Sequence, residues 1–412
     1  MVLSQTRIDD IKRRSREEVD RGRYPDGFPV LPPVPAARYN DQRFADLEAS
    51  AVFGRSWLFV AHTDSLRNPG DYVLLDQIPK PIMVLRADDG VVRAFYNTCK
   101  HRGSALLAEA AGNTGRRLTC PYHSWVYSLE GELIGYPEAN NFADLDRDCL
   151  ALTPILCETW GPLVFINLDP HANALTEYLA DVGRDLSGFE TLDGRLHLAA
   201  HTVRDVAVNW KIPVDANIET YHVNVVHRDT AAKALAQAAT GIQLLEHGHS
   251  RMLVGLRDGI DLEAGLRRFP PIIDGVGNLP LAGTFSYHVF PNLSIVFSGH
   301  GFVFFITNWP TGPSSSSYHV HWCSSLSNSG SDDDRQANEA FIAFNQMVLF
   351  EDLTVLPGIQ RSIDAGAIDS IRLSYQERRI YHVHEAIDRA IGVERVAEEL
   401  RVVAVLGPYI ER

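Results

Sequence analysis

The segments NTCKHRGSALL, residues 97–107, and CPYHSW, residues 120–125, decide how this chain folds. Each supplies one cysteine and one histidine. Structural zinc also accepts two thiolates and two imidazoles, but zinc fingers pair cysteine with cysteine and histidine with histidine. A [2Fe–2S] cluster with two cysteines on one iron and two histidines on the other needs one residue of each kind from each loop. The split therefore favours an iron–sulfur cluster held by Cys99, His101, Cys120 and His123.

The neighbours of these four residues suit such a cluster. Gly103 and Pro121 stand beside the candidate ligands, where the backbone can turn tightly and direct N–H groups at inorganic sulfur. Within CKHRG and CPYHSW, the four residues resemble the signature of Rieske domains. Two features depart from the family pattern. Eighteen residues separate His101 from Cys120, slightly more than is usual, and Ser124 stands where glycine is commoner.

The composition is that of an ordinary globular protein: 412 residues, 45% hydrophobic and 22% charged. The net charge of −14 repels phosphate backbones, which argues against nucleic-acid binding. The N-terminal segment alternates charges without the apolar centre of a signal peptide, and no run approaches the roughly 18 apolar residues of a membrane span. We expect a cytoplasmic protein that binds neither nucleic acid nor membrane.

The five cysteines are an odd number and are spread thinly, so a disulfide framework is not expected in a reducing compartment. Cys149, Cys157 and Cys323 lie near no histidine or second cysteine at ligand spacing. We expect these three to be plain buried residues.

Composition and hydrophobic pattern divide the chain into three parts. Residues 1–45 read as a helix followed by a Pro-rich extended arm. Residues 46–170 hold short apolar runs separated by turn signals such as ADDGVV and SLEGEL, which predict an antiparallel β-domain. Residues 171–412 alternate helical segments with strands, which predicts an α+β domain with an antiparallel sheet.

A second candidate site lies in NWKIPVDANIETYHVNVVH, residues 209–227, where His222 and His227 have the spacing H-x4-H. On a regular helix positions i and i+5 are about 140° apart, so the imidazoles can share an ion only if the helix ends or bulges there. The spacing alone is weak evidence. Two histidines and one carboxylate on one face of Fe(II) form the facial triad of non-heme oxygenases, and FEDLTVLPGIQ, residues 350–360, offers a later carboxylate.

With both motif sets in order over nearly the whole chain, the sequence resembles the large (alpha) subunit of Rieske non-heme iron oxygenases, the ring-hydroxylating family. The resemblance implies that His222, His227 and Asp352 hold a mononuclear Fe(II). Asp352 is favoured because the family's carboxylate lies about two helical turns before a glutamine, here Gln360. The adjacent Glu351 stays an alternative ligand. The resemblance also implies a helix-grip (START-like) catalytic fold after an all-β Rieske [2Fe–2S] domain.

Two further carboxylates receive roles from the resemblance. Glu219 occupies the position where many ring-hydroxylating members have an aspartate that bridges a Rieske histidine of one subunit to an iron-ligating histidine of its neighbour. Glu219 would therefore link His222 to His123 of an adjacent chain, in a head-to-tail ring that is a trimer in this family. Asp215 matches a position that is often asparagine near the iron, where it would hold a water, tune the iron or only cap the helix.

The resemblance implies a terminal oxygenase that uses O2 and electrons from NAD(P)H. A separate flavin reductase would deliver the electrons, with or without a ferredoxin, because the sequence has no flavin or dinucleotide fingerprint of its own. Hydroxylation or oxidative demethylation of a small organic substrate is favoured, since glutamate at position 219 appears in members that act on non-arene substrates, including quaternary amines. A homotrimer is favoured because members with a beta subunit tend to have alpha chains longer than these 412 residues. The alternatives are the alpha subunit of a cis-dihydroxylating aromatic dioxygenase with a beta subunit, and a Rieske electron-transfer protein without catalysis.

Two groups of residues bear on the substrate and the electron donor. An aromatic set is expected to supply about half of its members to the substrate pocket, for an arene or for a cation: Phe285, Tyr287, Phe290, Phe297, Phe302 and Phe304. A basic set beside the predicted cluster would either dock an acidic electron carrier or be solvated loop charges: Lys100, Arg102, Arg116 and Arg117.

Overall fold

The computed structural model describes residues 3–142, 145–191, 194–260, 278–299, 301–327 and 330–411. The chain forms two compact units. One is Gly54–Leu175, and the other combines Met1–Phe53 with Thr176–Arg412. The domain boundaries expected from the sequence, at residues 45 and 170, stay a prediction.

The unit Gly54–Leu175 is built from antiparallel strands. A seven-stranded sheet has the order β2-β11-β10-β5-β4-β3-β6, and a three-stranded sheet has the order β7-β8-β9. The strands are β2 Leu58–His62, β3 Asp71–Leu74, β4 Ile82–Arg86, β5 Val92–Tyr96, β6 Ala111–Asn113, β7 Leu118–Thr119, β8 Val126–Tyr127, β9 Leu133–Gly135, β10 Pro154–Trp160 and β11 Leu163–Asn167.

The two hairpins predicted for this unit are present. ADDGVV joins β4 to β5, and SLEGEL joins β8 to β9. Gly90 and Gly131, the glycines of the two turns, have φ of 82° and 94°, a conformation that glycine adopts without steric cost. The predicted all-β architecture of this part of the chain is confirmed.

The second unit contains a seven-stranded antiparallel sheet of order β12-β18-β17-β16-β15-β14-β13. Its strands are β12 His197–Val206, β13 Leu235–Leu244, β14 Ser250–Leu256, β15 Gly283–Val289, β16 Leu293–Phe297, β17 Phe302–Gly312 and β18 Ser315–Ser324. A small pair joins β1 Val34–Pro35 to β19 Ser370–Ile371. Strands followed and interrupted by helices make this the predicted α+β unit.

The α-helices of the described residues, apart from α3 at the boundary between the units, belong to the second unit. They are α1 Gln5–Arg21, α2 Gln42–Leu47, α3 Leu175–Asp185, α4 Lys211–Asn217, α5 Val223–Val226, α6 Leu279–Ala282, α7 Asp332–Asp364 and α8 Arg378–Ile391. Helix α7 begins at a capping box made by Ser331 and Asp334, which satisfies N–H groups that the first turn leaves unpaired. Phe341 and Leu353 of α7 pack on the apolar face of β17 and β18, so α7 and the sheet enclose the space between them.

Helix α7 is long and apolar enough to cross a bilayer by length and composition. That is weak evidence, because core helices of soluble proteins pass the same test. Pro357 lies inside this helix, which continues to Asp364. A proline removes only one backbone hydrogen-bond donor from a helix. The last turns are also held by the side chain of Gln360, whose oxygen accepts from the Asn209 N–H at 2.8 Å.

Helix α1 lies very close to the sheet. The Ser15 hydroxyl donates to the Ala239 carbonyl at 2.5 Å, and a Cβ placed on Gly241 would lie 2.7 Å from the Ser15 nitrogen. Gly241 therefore permits a backbone-to-backbone approach that no larger residue allows. Ile8 and Ile11 are buried on the same helix, which gives α1 an apolar face for this contact.

Candidate metal centres

The two loops that carry the cysteine–histidine pairs share one backbone pattern. In each loop the cysteine N–H donates to the carbonyl five residues later, at 2.8 Å for both Cys99 and Cys120. The cysteine carbonyl accepts from the N–H four residues later, which is Gly103 at 2.9 Å and Ser124 at 3.0 Å. Both residues at this fourth position have positive φ, 77° and 56°. Glycine suits that conformation best, which explains why it is commoner at position 124.

The side chains of the two loops converge. Cys99 and Cys120 are each 2% exposed, and the Nδ1 atoms of His101 and His123 lie 3.2 Å apart. The backbone N–H of His101 is directed at the Cys99 sulfur, and those of Tyr122 and His123 at the Cys120 sulfur. Two buried thiols with N–H donors and two facing imidazoles match the donor set of a Rieske cluster.

Two aromatic residues that sequence reasoning did not identify support this site. The His101 ring stacks on Trp125, with centroids 4.9 Å apart and an interplanar angle of 5°. The Tyr127 hydroxyl accepts from the Lys100 N–H at 3.0 Å and lies 3.3 Å from the Cys99 sulfur. Because its oxygen already accepts, its proton is available to donate to the sulfur, which would stabilise a thiolate.

The second pair of histidines flanks a single helical turn. Helix α4 ends at Asn217, and α5 covers only Val223–Val226, with His222 and His227 at its two caps. The Nε2 atoms of the two histidines lie 3.2 Å apart. The interruption that the H-x4-H spacing requires is therefore present, since no regular helix continues through both residues.

Asp352 of α7 meets both histidines at the same atoms. Its Oδ1 lies 3.3 Å from His222 Nε2 and 3.1 Å from His227 Nε2. One donor atom of each of these three residues lies within 4.8 Å of the others. Two imidazole nitrogens and one carboxylate oxygen at one point are the donors of a 2-His-1-carboxylate site.

A second carboxylate holds the other ring nitrogen of each histidine. Glu219 contacts His222 Nδ1, and Glu351 accepts from His227 Nδ1 at 2.7 Å and from the Thr230 hydroxyl at 2.6 Å. Burial opposes protonation of both rings, but the neighbouring carboxylates give each histidine a raised pKa. With the proton fixed on Nδ1, the Nε2 lone pairs are directed at the shared point, which is the tautomer that a metal requires.

This geometry places the two candidate carboxylates differently. Asp352 faces both Nε2 atoms, whereas Glu351 contacts the opposite nitrogen of His227. Sequence reasoning weighed Glu351 only as a rival ligand and did not identify Thr230. Glu351 next to Asp352 in sequence is the signal that could have suggested an orienting role, because neighbouring residues on a helix point about 100° apart.

Asp215 is held by a tyrosine from the N-terminal segment. Tyr39 donates its hydroxyl to Asp215 Oδ2 at 2.6 Å. Burial raises the pKa of Asp215 to about 7, against the lowering effects of Tyr39 and Lys211. Sequence reasoning placed Asp215 near the iron but did not find Tyr39, because 176 residues separate the two.

Two cavities adjoin the second site at His222 and Asp352. The larger, of about 660 Å³, lies between α7 and the sheet, and the smaller has about 200 Å³. Ala216, Glu219, His222 and Asp352 line both. The described lining of the larger cavity is mainly apolar and contains no lysine or arginine. Its size is typical of a small-molecule site.

Of the six aromatic residues considered for the pocket, two line the larger cavity, Phe302 and Phe304. Phe302 stacks on Phe341 of α7, with centroids 3.9 Å apart. The expectation that half of the six would face inward was too high. The others are at most 3% exposed and pack inside the unit: Phe285, Tyr287, Phe290 and Phe297.

The expectation of burial for the remaining cysteines was wrong for Cys149, which is exposed, and only partly right for Cys157, which is half-buried. Cys323 is buried as expected. Cys149 lies in the short 3₁₀ helix Asp148–Leu150 rather than in a strand. All five cysteines lie in the described part of the chain, and none forms a disulfide.

Three of the four basic residues beside the cluster have partners nearby, and one of them, Lys100, donates to the Thr153 hydroxyl. Arg116 pairs with Asp88 at 3.4 Å, and the Arg102 guanidinium lies 5.3 Å from the centre of the Tyr122 ring. These contacts are exposed and contribute little to stability. They leave the charges at the surface.

Comparison with known families gives the class of the protein. The model of the Rieske [2Fe–2S] domain matches residues 56–152, and the model of the ring-hydroxylating alpha subunit catalytic domain matches residues 192–393. The chain therefore belongs to the large (alpha) subunits of Rieske non-heme iron oxygenases.

The curated relatives include both monooxygenase and dioxygenase subunits. The chain is 38% identical over 194 residues to the carnitine monooxygenase oxygenase subunit of Escherichia coli (strain K12), covering 47% of this chain and 52% of the relative. It is 31% identical over 234 residues to the chlorobenzene dioxygenase subunit alpha of Cupriavidus sp. (strain PS12), covering 54% and 46%. The chain thus spans about half the length of the curated relatives it matches.

Solved structures share the fold. A quaternary ammonium Rieske monooxygenase in complex with L-carnitine has a TM-score of 0.70 at 22% identity, covering 89% of this chain and 98% of that one. Naphthalene 1,2-dioxygenase from Rhodococcus sp. bound to indole has a TM-score of 0.74 at 22% identity, covering 95% and 99%. At these identities the likeness concerns the fold alone.

Proposed function

We propose that this chain is the terminal oxygenase component of a Rieske system and that it hydroxylates or oxidatively demethylates a small organic substrate. The observation that carries the proposal is the meeting of His222, His227 and Asp352 at one point beside a large apolar cavity. A chain that only relayed electrons would need neither that donor set nor that cavity. The proposed location is the cytoplasm.

The residues take the following roles in the proposal. His222, His227 and Asp352 hold a mononuclear Fe(II), and Glu219 and Glu351 fix the imidazoles from behind. The [2Fe–2S] cluster is held by Cys99, His101, Cys120 and His123. When bound, the cluster supplies single electrons and the Fe(II) supplies an open coordination position for oxygen activation. The apolar lining of the larger cavity holds the substrate and excludes water.

The electron path in the proposal runs between copies of the chain. Glu219 contacts His222 Nδ1 with one carboxylate oxygen, and by analogy with the family it also reaches His123 of an adjacent copy in a homotrimer. Electrons come from NAD(P)H through a flavin reductase, with or without a ferredoxin that docks near the exposed basic residues of the cluster loops. One solved relative is described as showing inter-subunit electron transfer.

Metal content and metal-site variants test this proposal. The purified protein is expected to bind about three iron atoms per chain, two in a cluster with a Rieske-type EPR spectrum and one in the mononuclear site. His227→Ala is expected to keep the cluster and lose the third iron. A preparation with two iron atoms per chain that takes up no third on addition of Fe(II) would leave only an electron-transfer protein. Sizing of the purified chain tests the homotrimer.

A second candidate function is cis-dihydroxylation of an arene. It is favoured by the larger cavity, whose described lining offers no cation to pair with a substrate carboxylate, and by the likeness to a chlorobenzene dioxygenase subunit alpha. Turnover of indole, chlorobenzene, L-carnitine and γ-butyrobetaine with a surrogate reductase under ¹⁸O2 separates the two. One labelled atom per product supports monooxygenation, and two support dihydroxylation. A beta subunit needed for solubility would also favour the second.

A further inference from the structure

The two cavities differ in the groups they present to the candidate iron site. In the described lining of the larger cavity, the titratable side chains are Glu219 and the three proposed iron ligands. The smaller cavity adds Asp215, Glu377 and the hydroxyl of Tyr39. A substrate that fills the larger cavity displaces water from it, so protons cannot arrive by that side. The smaller cavity has room for several waters, each of which occupies about 30 Å³ in the liquid.

A buried chain of hydrogen bonds ends at the smaller cavity, and its direction is fixed. Arg38 donates from Nε to His384 Nδ1 at 3.1 Å, and guanidinium groups only donate. The proton of neutral His384 must then sit on Nε2, which lies 2.8 Å from the Tyr39 oxygen. Tyr39 in turn donates to Asp215 Oδ2 at 2.6 Å. Arg38, Tyr39 and His384 are almost completely buried, so solvent does not compete with these contacts.

These hydrogen bonds determine which oxygen of Asp215 can carry a proton. Oδ2 already accepts from Tyr39. Oδ1 is buried and has no hydrogen-bond partner in the described residues, although Asp215 as a whole is partly exposed. A proton on the Asp215 carboxyl therefore sits on Oδ1, and a buried O–H without an acceptor is costly unless water in the cavity accepts from it.

We propose that the smaller cavity delivers protons to the oxygenation reaction and that Asp215 Oδ1 is the atom that holds each proton before delivery. The inference rests on the proposed function. Hydroxylation of one C–H bond by O2 consumes two electrons, supplied by the reductase, and two protons. One oxygen atom enters the product and the other leaves as water. Asp215 gives up its proton through cavity water and is protonated again from solvent. The protonation state of the protein is therefore the same after each cycle.

The charges around Asp215 set when it carries that proton. Burial raises its pKa to about 7, the Tyr39 hydrogen bond and the Lys211 ammonium lower it, and the Glu377 and Glu219 carboxylates raise it. The proton is present below that pKa and lost above it. Delivery is therefore expected to fail as the pH rises through the neutral range.

The loss of turnover as the pH rises forms the alkaline limb of the pH–rate profile. Two substitutions are expected to shift this limb in opposite directions. Tyr39→Phe removes the donor that stabilises the ionised Asp215, so the alkaline limb of the rate profile moves to higher pH, by about one unit. Glu377→Gln removes a nearby negative charge. It keeps an oxygen that can accept the hydrogen bond that the Ser374 N–H donates to Glu377 at 2.7 Å. The limb then moves to lower pH. A residue that only packs would move neither limb.

Asp215→Asn is the direct test. With indole and γ-butyrobetaine as probes, turnover at pH 6.5 is expected to fall about 10²-fold, and the profile is expected to lose its limb in the neutral range. Infrared difference spectra of the holoenzyme give a readout that needs no turnover. The wild type is expected to show a protonated carboxyl band that disappears between about pH 6 and 8 and is absent in Asp215→Asn. Asp26→Asn, at an exposed aspartate, is the matched control and keeps the band.

The outcomes are distinguishable. A wild type that oxidises a probe while Asp215→Asn keeps its rate and profile overturns the proton-delivery role and leaves the oxygenase function in place. If Asp215→Asn still shows the protonated carboxyl band of the wild type, the proton-holding role is overturned, even if no probe is oxidised. Should Asp215→Asn fail to fold, the opposite shifts of Tyr39→Phe and Glu377→Gln decide, and equal or absent shifts refute the inference.

Discussion

Replacement of Glu351 tests whether this residue orients His227 or binds the metal itself. The carboxylate accepts two hydrogen bonds, from His227 Nδ1 at 2.7 Å and from the Thr230 hydroxyl at 2.6 Å. Glu351→Ala removes both acceptors and frees the imidazole to rotate or change tautomer. Loss of such an orienting partner weakens metal binding by about 10- to 100-fold, or about 1.4–2.7 kcal/mol.

The exposure of Glu351 narrows the expected loss of metal affinity. Its side chain is 26% exposed, so water can replace part of the lost hydrogen bonding, and the lower half of the range is expected. Glu351→Gln keeps an acceptor oxygen and should cost only a few-fold. Asp352→Ala removes a proposed ligand and should weaken binding more than either change at Glu351.

Calorimetric titration with Co²⁺ measures these effects, on protein that has an intact cluster and an emptied mononuclear site. Thr230→Val serves as the control, because it removes one hydrogen bond to Glu351 and leaves the His227 contact. Binding by Glu351→Ala within twofold of the wild type would refute the orienting role. Weaker binding by Glu351→Ala than by Asp352→Ala would mean that the two carboxylates have been assigned the wrong way round.

Three further substitutions test other parts of the structure. Glu219→Gln is expected to keep both metal centres filled and to slow turnover severely in steady-state assays, and a normal rate would exclude the bridging role. Lys211→Met leaves the buried Glu48 carboxylate with one side-chain partner in the part of the chain that the structure describes, the Trp210 indole N–H at 3.1 Å. It should cost about 3–5 kcal/mol in urea unfolding, and a cost below about 1 kcal/mol would show that water reaches the pair. Ser124→Gly relieves a positive φ and should stabilise the cluster domain by about 1 kcal/mol in thermal unfolding, and a lower melting temperature would contradict that account.

The parts that the sequence predicted well depend on short spacings. Each loop pair places its cysteine and histidine within four residues, so local backbone geometry alone brings them together. The hairpins at Gly90 and Gly131 were predictable for the same reason, since the turn chemistry is contained in a few residues. The break between His222 and His227 followed from the helical repeat.

The parts that could not be predicted depend on contacts between distant segments. Tyr39 reaches Asp215 across 176 residues, and Arg38 reaches Asp388 across 350. Neither pair has a local pattern, because polar residues at such separations meet only after the fold has formed. The separate tasks of Glu351 and Asp352 were likewise undecided, since adjacent carboxylates look alike until the helix is placed against the histidines.

The close seating of α1 has a consequence for the N-terminal segment. Side chains that interdigitate can slide and repack, but a helix backbone that rests on the glycine at position 241 has only one distance at which it fits. Docking of α1 should therefore be all-or-none. An added methyl group at Gly241 should release the whole helix, and limited proteolysis in the proline-rich connector that follows it would then cut a chain that otherwise resists.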